Sequence, residues 1–222
     1  MTAGPVILFD VDNTLIDNDQ VQADLREHLD GTVGHEASLA YFEILEQLRS
    51  ELGYVDYLGA LQRYRVTHPH NPRLLEVSHF LIDYPFVDRL YPEALAAVRW
   101  MASAGKVAIL SDGDVVFQPR KVRRSGLWDV FAGNVLIYIH KEEQLADVEA
   151  RFPASRYVLV DDKLRILTSV KQQWGERVTT VFPRQGHYAA DPAIADLPDP
   201  DVSLACIGDL LNHDPASLVG EA

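Results

Sequence analysis

The run Val6-Ile7-Leu8-Phe9 passes directly into Asp10-Val11-Asp12-Asn13-Thr14-Leu15, so two carboxylates one residue apart stand where a buried strand has to stop. A short, wholly apolar segment reads as a central strand of a parallel sheet, covered on both faces. Open α/β sheets bind their ligands just outside the carboxyl ends of such strands, so the two acids fall where chemistry is expected.

Further apolar runs repeat the pattern: Val107 to Leu110, Val135 to Ile139, Tyr157 to Val160 and Arg177 to Val181. Helical segments lie between them. Pro92 to Ala104 begins with a proline and stops at Gly105, Val115 to Ser125 stops at Gly126, and Lys163 to Trp174 stops at Gly175. Strands alternating with helices of this length predict right-handed βαβ units and a Rossmann-like, doubly wound, mainly parallel sheet of the α/β class. Residues from about Asp19 to Asp83 break the rhythm, offering helical periodicity over Asp19 to Leu29, Ala37 to Leu52, Val55 to Thr67 and Pro72 to Ile82, and no convincing strand. In the second of these, Leu39, Phe42, Ile44, Leu45, Leu48 and Leu52 mark the apolar face. A small helical bundle inserted after the first strand is the simplest account, and a bundle beside a strand-end site is well placed to act as a lid.

A formal net charge of −13 over 222 residues sets most of the surface against nucleic acid or an anionic membrane. A small anionic substrate is compatible with it, because a bound divalent cation and a few lysines reverse the potential locally. The single cysteine, Cys206, cannot form an intramolecular disulfide and is expected to pack in the core between Leu204, Ala205 and Ile207. The absence of a basic, apolar leader predicts a cytoplasmic protein. The Pro- and Asp-rich stretch from Ala190 to Asp201 reads as a surface loop.

In its motifs the chain resembles the haloacid dehalogenase (HAD) superfamily, in the phosphohydrolase branch. Asp10-Val11-Asp12-Asn13-Thr14-Leu15 matches the family's first motif, Ser111-Asp112-Gly113 the second, Lys141 the third, and Asp161-Asp162 the paired-acid form of the fourth; each follows an apolar run, in the family's order. The resemblance implies a core of residues 1–16 and 89–222 with a helical cap at 17–88. It also implies a magnesium-dependent phosphatase acting on a small phosphorylated metabolite through an aspartyl-phosphate on Asp10. A phosphotransferase or phosphomutase is the alternative within the superfamily. A haloacid dehalogenase is disfavoured because that branch lacks the second aspartate of the first motif, and a catalytically silent binding module is disfavoured because each catalytic residue type is present.

Phosphoryl transfer requires an in-line nucleophile, charge neutralisation and a proton donor for the leaving oxygen. Asp10 is the candidate nucleophile and Asp12 the candidate acid and base. Magnesium, which retains waters and phosphate oxygens in its octahedron, needs few protein ligands. The resemblance offers Asp10, the main-chain carbonyl of Asp12, and Asp162 as ligands, with Asp161 binding directly, through water, or by orienting a neighbour. The Ser111 hydroxyl and the N–H groups of Asp112 and Gly113 are candidate donors to phosphoryl oxygens. Lys141 is the candidate cation between nucleophile and phosphoryl group. Lys121 and Lys163 compete with it, although the run Arg120-Lys121-Val122-Arg123-Arg124 reads as a solvated helix face. The side chain of Asp112 has no assigned part, since a carboxylate there brings unwanted charge. Arg63 to Arg73 reads as helix surface and loop, Trp100 and Trp174 as packing residues, and Gln185-Gly186-His187-Tyr188 as a segment within reach of the site rim.

Overall fold

The structure, a computed structural model, describes residues 4–220. Six parallel strands form one sheet in the order β3-β2-β1-β4-β5-β6, with β1 Val6–Phe9, β2 Lys106–Asp112, β3 Val135–Tyr138, β4 Tyr157–Val160, β5 Val178–Pro183 and β6 Val202–Leu204. The order reverses at β1, which pairs with β2 on one side and β4 on the other. That is the switch point at which an open sheet leaves a crevice. The four apolar runs that carry the motifs occupy adjacent strands, so their C-terminal ends converge there.

Strand alternation divides the core. Ile7 and Phe9 face one side, in a cluster with Val107, Ile109, Val158 and Val160; Val6 and Leu8 face the other, with Ala108, Leu110, Tyr157 and Leu159. Both faces are therefore buried, which is why these strands are apolar throughout rather than alternating.

Between β1 and β2 lie α1 Asn18–Thr32, α2 His35–Leu52, α3 Tyr57–Thr67 and α4 Leu74–Asp83, followed by α5 Ala94–Met101. Asp17 caps α1 by accepting from the N–H of Gln20 at 2.9 Å, and Asp56 caps α3 by accepting from Gly59 at 2.7 Å. The first core cluster extends without interruption into this bundle through Leu25, Tyr41, Leu45, Leu61 and Val77. Beyond β2 come α6 Phe117–Arg124, α7 Leu127–Val130, α8 Leu145–Arg151, α9 Leu164–Trp174 and α10 Pro215–Val219.

Several sequence expectations are corrected. Pro92 lies before helix α5, which starts at Ala94 because Glu93 takes a left-handed conformation with φ of 62°. Leu39 is 50% exposed: the buried stripe of α2 runs through Ser38, Tyr41, Phe42, Leu45 and Leu48. Cys206 is exposed, because Leu204 and Ile207 take the inward positions while the Cys206 N–H donates to Asp209 at the start of a 3-10 turn. Trp174 is buried against Tyr157, but Trp100 is 43% exposed and its indole N–H donates to the carbonyl of His213 at 2.9 Å. The stretch from Ala190 to Asp201 does lie at the surface, as expected, and contains a 3-10 turn, Pro192–Asp196, before β6. Among the described residues no helix is long and apolar enough to cross a membrane.

Candidate active site

The register sets Phe9 beside both Ile109 and Val160, so the next residue, Asp10, emerges between β2 and the Asp161-Asp162 pair. Asp10 is 3% exposed, and Asp161, Asp162 and Lys141 are wholly buried. Carboxylate oxygens of Asp10, Asp161 and Asp162 lie within 4.8 Å of one another. Lys141 contacts two of them: its Nζ lies 2.5 Å from Asp10 Oδ1 and 2.7 Å from Asp161 Oδ2, and donates to the carbonyl of Leu110 at 3.2 Å. Burial alone would lower the Lys141 pKa, but the charges of Asp10, Asp161 and Asp112 outweigh it and hold the ammonium charged well above its ordinary range. Burial pushes the Asp161 carboxyl up to about 6 against the pull of Lys141, and raises Asp162 further.

Asp162 is the residue left over. Neither of its carboxylate oxygens has a hydrogen-bond partner, although its N–H donates to Thr14 Oγ1 at 3.0 Å. A buried carboxylate without a donor is costly unless a cation meets it. This donor set, all oxygen and anionic, fits a hard divalent ion such as magnesium. Asp161 differs, since Lys141 holds one of its oxygens and the N–H of Lys163 donates to the other at 2.9 Å.

Asp12 turns away from this triad. Its Oδ1 lies 2.6 Å from Nζ of Lys121, and Gln118 Nε2 donates to its other oxygen at 3.3 Å. Lys121 is 1% exposed, flanked by Phe117 and Asn18, which contradicts its reading as part of a solvated helix face. The reason is the spacing on α6: Phe117, Gln118, Lys121 and Val122 share the inward face, and the arginines of the run point elsewhere. Arg120 and Arg124 instead donate to the carbonyls of Ile82, Asp83 and Tyr84, capping the end of α4.

Ser111 is buried beside Asp10's strand and accepts from Gln118 Nε2 at 3.0 Å. The Asp112 carboxylate accepts the main-chain N–H of Lys141 at 2.7 Å, so it fixes the loop that presents the lysine. Gly113 does not offer its N–H to a ligand as expected, since that group extends the β2–β3 pairing by donating to Tyr138 at 3.0 Å. Its lack of a side chain matters instead, because a Cβ there would lie 2.7 Å from that of Gln118.

The residues outward of Asp12 form a narrow cleft with a cavity volume of about 60 Å³, which the bundle helps to wall through Asn18, Arg49, Tyr54 and Tyr57. None of residues 63–73 lines it. His187 and Tyr188 do, and the loop carrying them is fastened to the first motif: Gln185 donates to the carbonyls of Asn13 and Thr14, and His187 Nδ1 lies 2.6 Å from Asp19. Gln118, Asn18 and Arg49 were not anticipated. The spacing of Gln118 and Lys121, one turn apart on the helix that follows Ser111, was a usable signal for the first.

Residues 5–165 match the haloacid dehalogenase-like hydrolase family. The chain belongs to that family and is a hydrolase of the HAD superfamily. It is similar to a haloacid dehalogenase-like hydrolase from Burkholderia xenovorans LB400, with 59% identity, a TM-score of 0.92 and coverage of 96% of this chain and 97% of that one. The magnesium-bound HAD-hydrolase YfnB of Bacillus subtilis shares the fold at 14% identity and a TM-score of 0.64, over 95% of this chain and 98% of that one. L-2-haloacid dehalogenase from Xanthobacter autotrophicus shares it at 21% identity and a TM-score of 0.59, over the whole of both chains. No curated protein sequence matches the chain.

Proposed function

We propose that this HAD hydrolase is a magnesium-dependent phosphatase that hydrolyses a small phosphomonoester through an aspartyl-phosphate on Asp10. The observation that carries this reading is the Asp12 side chain, two residues beyond Asp10 and turned to the cleft side, held there by Lys121 and Gln118 yet 28% exposed, as a proton carrier between enzyme and leaving group has to be.

In the first step an Asp10 oxygen attacks phosphorus while the bond to the ester oxygen breaks, and Asp12 gives that oxygen its proton. Asp12 then takes a proton from water as the water oxygen attacks the same phosphorus, and cleavage of the phosphorus–Asp10 bond releases inorganic phosphate and restores the carboxylate. Lys141 orients Asp10 and offsets repulsion between the nucleophile and the phosphoryl oxygens. Magnesium would be held by Asp10, Asp162 and the main-chain carbonyl of Asp12, with Asp161 supporting the site through Lys141, and would neutralise charge on the phosphoryl oxygens. Ser111, oriented by Gln118, is a donor to one of those oxygens.

Displacement of halide needs no proton donor for the leaving group, so it leaves Asp12 and its two partners without a part; this separates the reading from that of the dehalogenases sharing the fold. A phosphotransferase would use the same residues and differ only in the acceptor. The test is phosphate release from p-nitrophenyl phosphate and a panel of phosphorylated metabolites. Activity should require magnesium, vanish in Asp10→Asn, and fall on the order of a hundredfold or more in Asp12→Asn. Chloride release from a 2-haloacid in the presence of chelator, without phosphatase activity, would overturn the proposal, as would near-normal phosphatase activity in either variant. Accumulation of an isomeric phosphate in place of inorganic phosphate would identify a mutase.

A further inference from the structure

The acids and the cations that line the outer cleft are unequally satisfied. Of its two carboxylates, Asp12 is met by Lys121 and Asp112 by the N–H of Lys141. Arg165, one of its cations, is met by Glu142 at 3.0 Å. Arg49, on α2 of the bundle, and Lys163, at the start of α9 in the core, are the exceptions. The buried Nε of Arg49 has no hydrogen-bond partner, and its one ion pair is a 3.4 Å contact through Nη1 to Glu46, which is 59% exposed. The Lys163 ammonium makes no hydrogen bond or contact-distance ion pair among the described residues; the charges of Asp162 and Asp10 act on it from beyond that reach, and it lies over the ring of Tyr188 at 5.0 Å. The nucleophile, Lys141 and the paired acids are not part of this lining. The outer cleft is therefore the space of the leaving group, and in a chain of net charge −13 it presents two cations with spare hydrogen-bonding capacity.

We propose that Arg49 and Lys163 form a subsite for a second anionic group, so that the substrate is a phosphomonoester whose alcohol portion itself carries a carboxylate or a second phosphoryl group. This rests on the phosphatase reading for the reaction, but not for the binding. A guanidinium with an unpaired Nε and a half-buried ammonium are strong partners for such an anion, the guanidinium through its fork and the ammonium as a point charge. One comes from the inserted bundle and the other from the core, so the subsite is shared between them.

The test is calorimetric binding of phosphonates that cannot be hydrolysed, to the whole magnesium-loaded protein. 3-Phosphonopropionate and propane-1,3-diphosphonate carry the second anion as carboxylate and as phosphoryl, and propylphosphonate carries none. The wild-type protein should bind one or both of the first two about tenfold or more tightly than the third, as charge-assisted hydrogen bonds provide. That ratio should collapse in Arg49→Gln and in Lys163→Gln and return in part in Arg49→Lys; whichever dianion is favoured identifies the second group. Equal binding of all three by the wild-type protein, or an unchanged ratio in both glutamine variants, would overturn the subsite. A preserved ratio in a wild-type protein that hydrolyses none of the corresponding esters would leave the subsite standing and defeat the phosphatase reading alone.

Discussion

Lys121 Nζ lies 2.6 Å from Asp12 Oδ1, and the lysine is almost wholly buried while the carboxylate keeps one side open to the cleft. The two partners are thus unequal. In Asp12→Asn the ammonium remains inside, near Phe117, Tyr57 and Phe86, without its counter-charge. Lys121→Met keeps the packing of the stem and frees a carboxylate that water can reach. Urea unfolding should therefore show Asp12→Asn destabilised by about 1–3 kcal/mol and Lys121→Met by less. Lys121→Met should still lose on the order of tenfold or more in kcat, because Asp12 is no longer held in position.

The acid triad predicts how metal acts on stability. Three buried carboxylates crowd together, Lys141 contacts only two of them, and both oxygens of Asp162 lack a hydrogen-bond partner, with the Lys163 charge acting on it from beyond contact. Neutralising Asp162 should relieve repulsion in the chelated protein, whereas magnesium should relieve it in the wild type. In thermal melts with chelator, Asp162→Asn should match or exceed the wild type. With magnesium about 100-fold above its Kd the wild type should gain about 2.7 kcal/mol and the variant little. An equal gain in both would exclude Asp162 as a ligand.

The sheet was legible because a strand buried on both faces leaves an unmistakable apolar run, and because the chemistry follows each run by one or two residues. All five expected strands lie within two residues of their expected ends, and β2 continues to Asp112 because its last residues pair with β3. What escaped was set by tertiary contact. β6 is only three residues long and follows a Pro- and Asp-rich stretch, so nothing local marks it. Lys121 belongs to a basic run, and only its partner across the cleft distinguishes it from the arginines beside it. Asp112 was unreadable for the same reason: the N–H it accepts lies 29 residues further along the chain.

Asp24 gives a pH dependence with a definite sign. Burial alone would raise its carboxyl, but hydrogen bonds from Tyr84, Gln20 and Arg89 hold it below its ordinary value of 3.8. A group whose folded pKa is depressed contributes stability that is fully present above the unfolded value and is lost as pH falls through the folded one. Asp24→Asn should therefore cost about 1–3 kcal/mol at neutral pH. The gap between variant and wild type in urea unfolding should narrow as pH falls below about 4 and close once the native carboxyl is protonated. A gap that persists at the lowest pH would mean that packing, not charge, is what the substitution removes.

Gly53 and His140 join the bundle to the loop that carries Lys141. Gly53 ends α2 in a left-handed conformation with φ of 79°, and a Cβ there would run into Cε1 of the His140 ring. His140 is itself left-handed and immediately precedes Lys141. Gly53→Ala should carry about 1–2 kcal/mol of backbone strain together with displacement of the ring, and should slow turnover by shifting Lys141. In a His140→Ala background the ring is gone and only the strain remains. The two substitutions should therefore be non-additive by about 0.5 kcal/mol or more in unfolding free energy, and the loss of kcat caused by Gly53→Ala should be smaller in the His140→Ala protein. Strict additivity in both measurements would show that the contact does not transmit the position of the bundle to the lysine.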